Sequence, residues 1–345
     1  MSSHVNDRVN DSSNDRVVTF GEVLLRLSPP GNERLFQTPQ LRTWWGGAEA
    51  NVSCGVASLG GHATHVTMLP DNVIGEGALR ALRAEGVDTS QVRRAAGRMG
   101  AYYLESGADV RALSVVYDRA DSAFARQRGD EFDWSSILQD AAWLHCSGVT
   151  AALGEGPYWA IERAVDAAAA LGVPFSLDLN FRPALWAGRD PKPLMQSLAR
   201  RASLLIGNPG AIEIMLGIST SGRIPEPASA LHATARAIHR EYGCARVAIT
   251  QRDIQSASVH GWQAHLWDSA TDALYSAPRV VVQLVDRVGG GDSFAAALLY
   301  QLQRGATHAH AVRFATAASA LKLTIPGDVN RVSVAEVDRF LTSLP

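Results

Sequence analysis

Cysteine is scarce in this chain. Cys54, Cys146 and Cys244 are the three among 345 residues, far apart and forming no C-x-x-C pair, which excludes a disulfide-dense framework and suits a reducing compartment. An excess of one charge is also missing. The 32 Lys and Arg nearly balance 34 Asp and Glu, for a formal net charge of −2, which argues against nucleic acid or an anionic membrane as the main partner. No run approaches the ~20 apolar residues of a membrane span. The polar start, "MSSHVNDRVNDSSNDR", lacks the apolar centre of a signal peptide, so a cytoplasmic protein is expected. Two nucleotide signatures are absent as well: no G-x-x-x-x-G-K-[ST] occurs, and no G-x-G-x-x-G opens a helix.

What remains is an ordinary globular composition, 46% hydrophobic, long enough for one large domain. Residues 1–15 read as a disordered polar tail and 16–345 as a single unit. Apolar, β-rich runs such as "VVTFGEVLLRL", "ATHVTML", "PFSLDLNF" and "RVAIT" alternate with segments of helical spacing such as "YWAIERAVDAAAALG". That alternation predicts an α/β fold, a mostly parallel sheet with helices on both faces. The rhythm breaks over about 34–46 and 98–120, where strand-like runs follow one another with no helix between. A small β lid outside the main sheet is the economical reading.

The stretch "VDRVGGGDSFAAALLYQLQRG" carries the chemistry. The apolar run "VVVQLVD" reads as a strand, and "DSFAAALLYQLQRG" reads as a helix opened by Asp292 and closed by Gly305. Gly289, Gly290 and Gly291 remove every Cβ from the turn, so main-chain N–H groups can close around an anion at a helix N-terminus. A carboxylate there repels a ground-state anion but is useful for taking a proton from an attacking hydroxyl. Phosphoryl transfer to an alcohol needs both parts. The same residues read equally as a glycine-rich turn with Asp292 as an ordinary helix cap.

"DRVGGGDSFAAALL" resembles the D-T-x-G-A-G-D-x-F motif of the PfkB, or ribokinase-like, sugar kinases. A second stretch, "WWGGAEANVSCGVASLGGHATHVTMLPDNVIGEGALRALRAEGVDTS", resembles that family's sugar-binding region, and the likeness runs from about Val17 to Leu323. It implies a ribokinase-like three-layer α/β/α sandwich with a small β-sheet lid, ATP as donor and Mg²⁺ as helper. "GGAEANV", "SLDLNFRPALW" and "VVYDRADSA" are most similar to 2-keto-3-deoxygluconate kinases within the family. The resemblance places sugar contacts at Gly47, Asn51, Tyr102, Tyr117, Arg119 and Arg182. It makes Asp292 the base and Gly289, Gly290 and Gly291 the anion hole, with Asn208 and Thr250 on the nucleotide side. Pairing of lids into a homo-oligomer is a further implication. Independently, arginine is suited to fixing the carboxylate of a sugar acid. Asp178 faces either the metal and phosphates or a structural role, while His62 and His65 lack a third ligand at metal spacing.

Three segments depart from the family pattern. N-x-x-E reads "GNPGAIEIMLG", with Ala211 at the acidic position and Glu213 two residues later. T-x-G-x-x-G reads "TQRDIQ", placing Arg252 and Gln255 near the nucleotide. G-D-D-x-x-G reads "MLPDNVIG", with Asp71 and Asn72. Mg²⁺ would then be held largely by ATP through water. "ASALKLTIPGD" reads as flanking the nucleotide or a cation. A kinase of a neutral sugar, or a sugar-acid sensor without catalysis, are the alternatives.

Overall fold

The computed structural model describes residues 15–344; the polar tail, Asp15 apart, lies outside the described residues. The main sheet has ten strands. From one edge it runs Val92–Ala95, His62–Pro70, Arg16–Phe20, Ala141–Ser147, Phe175–Asp178, Leu204–Gly207 and Arg246–Ile254, all neighbours parallel. The antiparallel strand Val259–Asp268 follows, and it pairs with both Ala273–Ser276 and Val280–Gln283.

The strands are buried on both faces because helices cover both, and the alternation of side chains divides the interior into two cores. Val18, Phe20, Leu144, Leu205 and Val247 point to one side. Their neighbours Val17, Trp143, Leu204 and Ala248 point to the other, against Phe294, Leu298 and Phe314. Those three belong to the helices Gly290–Gln303 and His308–Lys322.

A separate four-stranded sheet forms the lid, in the order Arg42–Gly46, Leu24–Ser28, Gly100–Glu105, Ser114–Asp118. Its make-up differs from the sequence expectation in one strand. "VVTFGEVLLRL" looks like a single run but is divided: Arg16–Phe20 enters the main sheet, and Leu24–Ser28 becomes an inner lid strand. The break falls where Glu22 is buried among polar partners, and where a Cβ on Gly21 would overlap the carboxylate of Glu49. Phe36, expected near the start of a lid strand, lies instead in an exposed turn at φ 63°.

The glycine turn also differs in detail. The strand preceding it is short, Val280–Gln283. The stretch from 284 to 288 is irregular backbone held by Leu323, whose carbonyl accepts from Val285 and Asp286 N–H at 2.9 and 3.2 Å. Nor does Asp292 cap the helix. Gly289 does, at φ 78°, and Asp292 sits in the first turn.

Candidate active site

Between the lid and the carboxyl ends of the parallel strands lies a cavity of about 510 Å³, the position where open α/β sheets bind ligands. Gly47, Asn51, Tyr102, Tyr117, Arg119, Arg182, Asn208, Thr250, Gly289, Gly290, Gly291 and Asp292 all line it. The fold thus brings these twelve to one wall or another while Gln255, expected near the nucleotide, is not among the lining residues, and not all of the twelve are free to touch a ligand.

At its floor the helix Gly290–Gln303 begins. The Ser293 N–H reaches the Gly289 carbonyl at 2.8 Å, so the amides before it have no acceptor within the helix. The three glycines are needed for different reasons. Gly289 adopts a left-handed φ, and a Cβ there would overlap the Asp328 carbonyl. A Cβ on Gly290 would lie 2.8 Å from Leu323 Cδ2. On Gly291 it would meet no protein atom within 4 Å; that side is exposed to the cavity, leaving the main chain accessible to a ligand.

Asp292 is buried, and its Oδ2 accepts from Asn51 Nδ2 at 2.7 Å. Burial pushes its pKa up to about 6, while the Asn51 hydrogen bond and Arg182 work in the opposite direction. Asn51, which could have been a simple turn residue, instead fixes the carboxylate. Asp178 lies beside it. Burial first, and then the charge of Asp292, raise Asp178 to about 7. Asn180, at a positive φ of 36°, donates its main-chain N–H to Asp178 at 3.0 Å and reaches toward Asp292 Oδ1 at 3.5 Å.

Arg182 opens the short helix Pro183–Trp186 and is exposed to the cavity. Three further guanidinium groups without an ion-pair partner line the same space, Arg223, Arg252 and Arg287. Among the described residues none of the four has a carboxylate partner within 4 Å. The low-dielectric walls, and then the charges of Arg287 and Arg182, lower Arg252 to about 10. Burial and Arg182 likewise lower Arg287. A cavity lined by four unpaired cations is built for an anion. Arg252 was visible as the residue displacing a glycine in "TQRDIQ"; Arg287, directly ahead of the turn in "DRVGGGD", was missed.

Several expected contacts are committed elsewhere. Arg119 forms a buried pair with Glu22, Nη2 to Oε2 at 2.6 Å and Nε at 2.8 Å. The hydroxyl of Tyr102 is hydrogen-bonded to Asp328, so only its ring faces the cavity. Asp328 belongs to a network the sequence did not reveal. Arg26, on the inner lid strand, bridges Asp286 at 2.7 Å and Asp328 at 2.8 Å, joining the lid to both loops around the glycine turn. Asn208 Oδ1 caps the helix Pro209–Leu216 through Ala211 N–H at 3.0 Å. Exposed Glu213 does not line the cavity; its carboxylate accepts from Thr220 at 3.2 Å. Asn72 is the cap of the helix Val73–Ala84. Among the described residues no group of three or more His, Cys, Asp or Glu is placed to hold a metal. His65 is buried against Thr19 at 2.7 Å, and His62 bonds Asp15 at 2.8 Å.

Residues 14–334 match the model of the pfkB family carbohydrate kinases. The chain belongs to the pfkB family. Within that family it is 32% identical over 325 residues to a 2-dehydro-3-deoxygalactonokinase of Haloferax volcanii, covering 94% of this chain and 96% of that one. The crystal structure of a 2-dehydro-3-deoxygluconokinase from Thermotoga maritima superposes with a TM-score of 0.91 at 40% identity, over 95% of this chain and 99% of that one. A more distant relative, fructokinase-1 of Zea mays, is 27% identical over 338 residues, 91% of this chain and 93% of that one. The cavity, the glycine turn and Asp292 all lie within the residues that match the family.

Proposed function

We propose that this chain transfers the γ-phosphate of ATP to the primary hydroxyl of a 2-keto-3-deoxy sugar acid, 2-keto-3-deoxygluconate at O6 being the first candidate. The observation that carries the reading is a buried aspartate, oriented by Asn51, at the mouth of a helix N-terminus whose exposed glycine faces a cavity with four unpaired arginines. Asp292, with a pKa near 6, is ionised at neutral pH and takes the hydroxyl proton as the oxygen attacks. The main-chain N–H groups of the turn receive the charge developing on the transferring phosphoryl group. Arg182 orients the substrate carboxylate. Arg252 and Arg287 complement the phosphates from the same cavity. The donor set fits Mg²⁺ brought in by the nucleotide: Asp178, raised by burial and then by its neighbour Asp292, is the carboxylate available to hold its water shell. Bound Mg²⁺ would neutralise phosphate charge. The lid excludes water that would otherwise compete for the phosphoryl group.

The buried pairing of Arg119 with Glu22 favours a second reading, a neutral-sugar kinase, because one of the two arginines expected at the acid is already neutralised. Coupled ADP release at saturating Mg·ATP distinguishes them, with 2-keto-3-deoxygluconate, its C4 epimer, fructose and ribose compared side by side. The expected result is a kcat/KM for an acid at least about 100-fold above either neutral sugar, the worth of a charge-assisted contact of ~3 kcal/mol. A preference for fructose or ribose would discard the acid pocket and keep the kinase.

A further inference from the structure

Lys322 is the last residue of the helix His308–Lys322, and it is completely buried. Its ammonium donates to main-chain carbonyls, Gly327 at 2.6 Å, Ile325 at 3.2 Å and Asp286 at 3.5 Å. These oxygens come from two different segments, the irregular stretch before the glycine turn and the loop after the helix. The turn itself closes the arrangement: a Cβ on Gly289 would lie 3.2 Å from Lys322 Cε. The cation therefore stands behind the turn whose front faces the cavity. The charged groups around it are Asp286, Asp328, Asp292 and Arg26.

Converging main-chain carbonyls are how proteins replace the water shell of a hard cation. Filling the space does not by itself require a charge; what an apolar side chain of similar length could not supply is a donor for these carbonyls. We propose that Lys322 is a tethered monovalent cation. Its ammonium fills a carbonyl cage behind Gly289–Gly291, holds the two segments in register and keeps positive potential behind the anion-binding amides. Phosphoryl transfer by this chain then needs no alkali-metal ion. Lys322 is a positioning residue that acts through the turn, and the inference rests on the kinase reading above.

The test compares wild type, Lys322→Met and Lys322→Ala in K⁺, Na⁺, NH₄⁺ and tetramethylammonium chloride at fixed ionic strength. Wild-type turnover should be the same in all four salts. Lys322→Met, whose side chain fills the stem's space without charge, should lose about 100-fold in kcat, comparable to removal of one oxyanion donor. Its sugar KM should change little, and no salt should restore it. Lys322→Ala opens the cage, so NH₄⁺ or K⁺ should recover at least about tenfold of its kcat in a saturable manner while tetramethylammonium does not, because a free cation can then take the place of the ammonium. Crystals of Lys322→Ala soaked in Tl⁺ should show anomalous density among the carbonyls of Asp286, Ile325 and Gly327, and NH₄⁺ should raise its melting temperature. Activation of wild type by K⁺ would overturn the proposal, as would near-normal turnover of Lys322→Met or an alanine cage that takes up no cation. The wild-type salt series decides the question even where a variant does not fold. Absence of phosphoryl transfer to every acceptor would count against the kinase reading alone, since Tl⁺ occupancy and the melting temperature report on the cage without activity.

Discussion

A carboxylate in the position of Asp292 is a liability to folding. With its pKa near 6 rather than the ordinary 3.8, the folded state prefers the protonated form. The associated stability is therefore present at low pH and lost as pH rises through about 6, amounting to roughly 3 kcal/mol once the group is fully ionised. Asp292→Asn removes that penalty and keeps an oxygen for Asn51 Nδ2. Two outcomes should accompany each other at pH 8: turnover lower by ~10²–10⁴-fold, and a melting temperature higher by several degrees. In wild type, kcat/KM should fall tenfold per pH unit below about 6, as the base becomes protonated. Near-normal turnover in the asparagine variant would remove Asp292 from the mechanism. A turn-capping role would instead predict lower stability, opposite in sign.

At the scale of elements, Arg119 and Arg182 separate into different jobs. Arg119 follows the lid strand Ser114–Asp118 and pairs with Glu22 at the break between main sheet and lid, both side chains almost fully buried, 7% and 2% exposed. Arg119→Ala leaves a buried carboxylate unpaired and should cost about 3–5 kcal/mol, read as an earlier urea midpoint. Arg182 has no such partner and is exposed to the cavity. Arg182→Ala should leave the urea midpoint in place and raise KM for the acid roughly tenfold or more. The reverse pattern would exchange the two roles. The contrast also marks how far the sequence could be read. Asp292, Asn51 and the glycines lie in short motifs whose residue types state their chemistry, and alternating patterns announced the sandwich. Partnerships of distant residues have no such local signal. Arg26 and Asp328 are 302 positions apart, Arg119 and Glu22 are 97 apart, and "EVLLRLS" is simply an apolar run with a basic residue in it. The division of that run between sheet and lid was hidden for the same reason: its cause is burial of Glu22 and the closeness of Glu49 to Gly21, which no periodicity expresses.

For the whole molecule, the formal charge of −2 says little about what the cavity attracts, because the field that a ligand meets is local. Arg182, Arg223, Arg252 and Arg287 line one cavity without a carboxylate partner among the described residues; burial first, and then the neighbouring guanidinium charges, lower Arg252 and Arg287. An anion that enters relieves this repulsion, so binding should stabilise the fold measurably. Mg·ATP at 100 times its Kd adds about 2.7 kcal/mol to a one-site equilibrium, enough to raise the melting temperature by a few degrees in a protein of this size. The shift should shrink as salt rises from 0.05 to 0.5 M, since part of the attraction is screened over roughly 10 Å at the lower concentrations. Differential scanning fluorimetry with Mg·ATP, the sugar acid and both together checks this. A shift with the acid alone and none with Mg·ATP would favour a sensor that has kept the sugar side of the cavity and lost the nucleotide side. Shifts with each, and a larger one with the two combined, would mean that a single lid closes over both halves of a working kinase site.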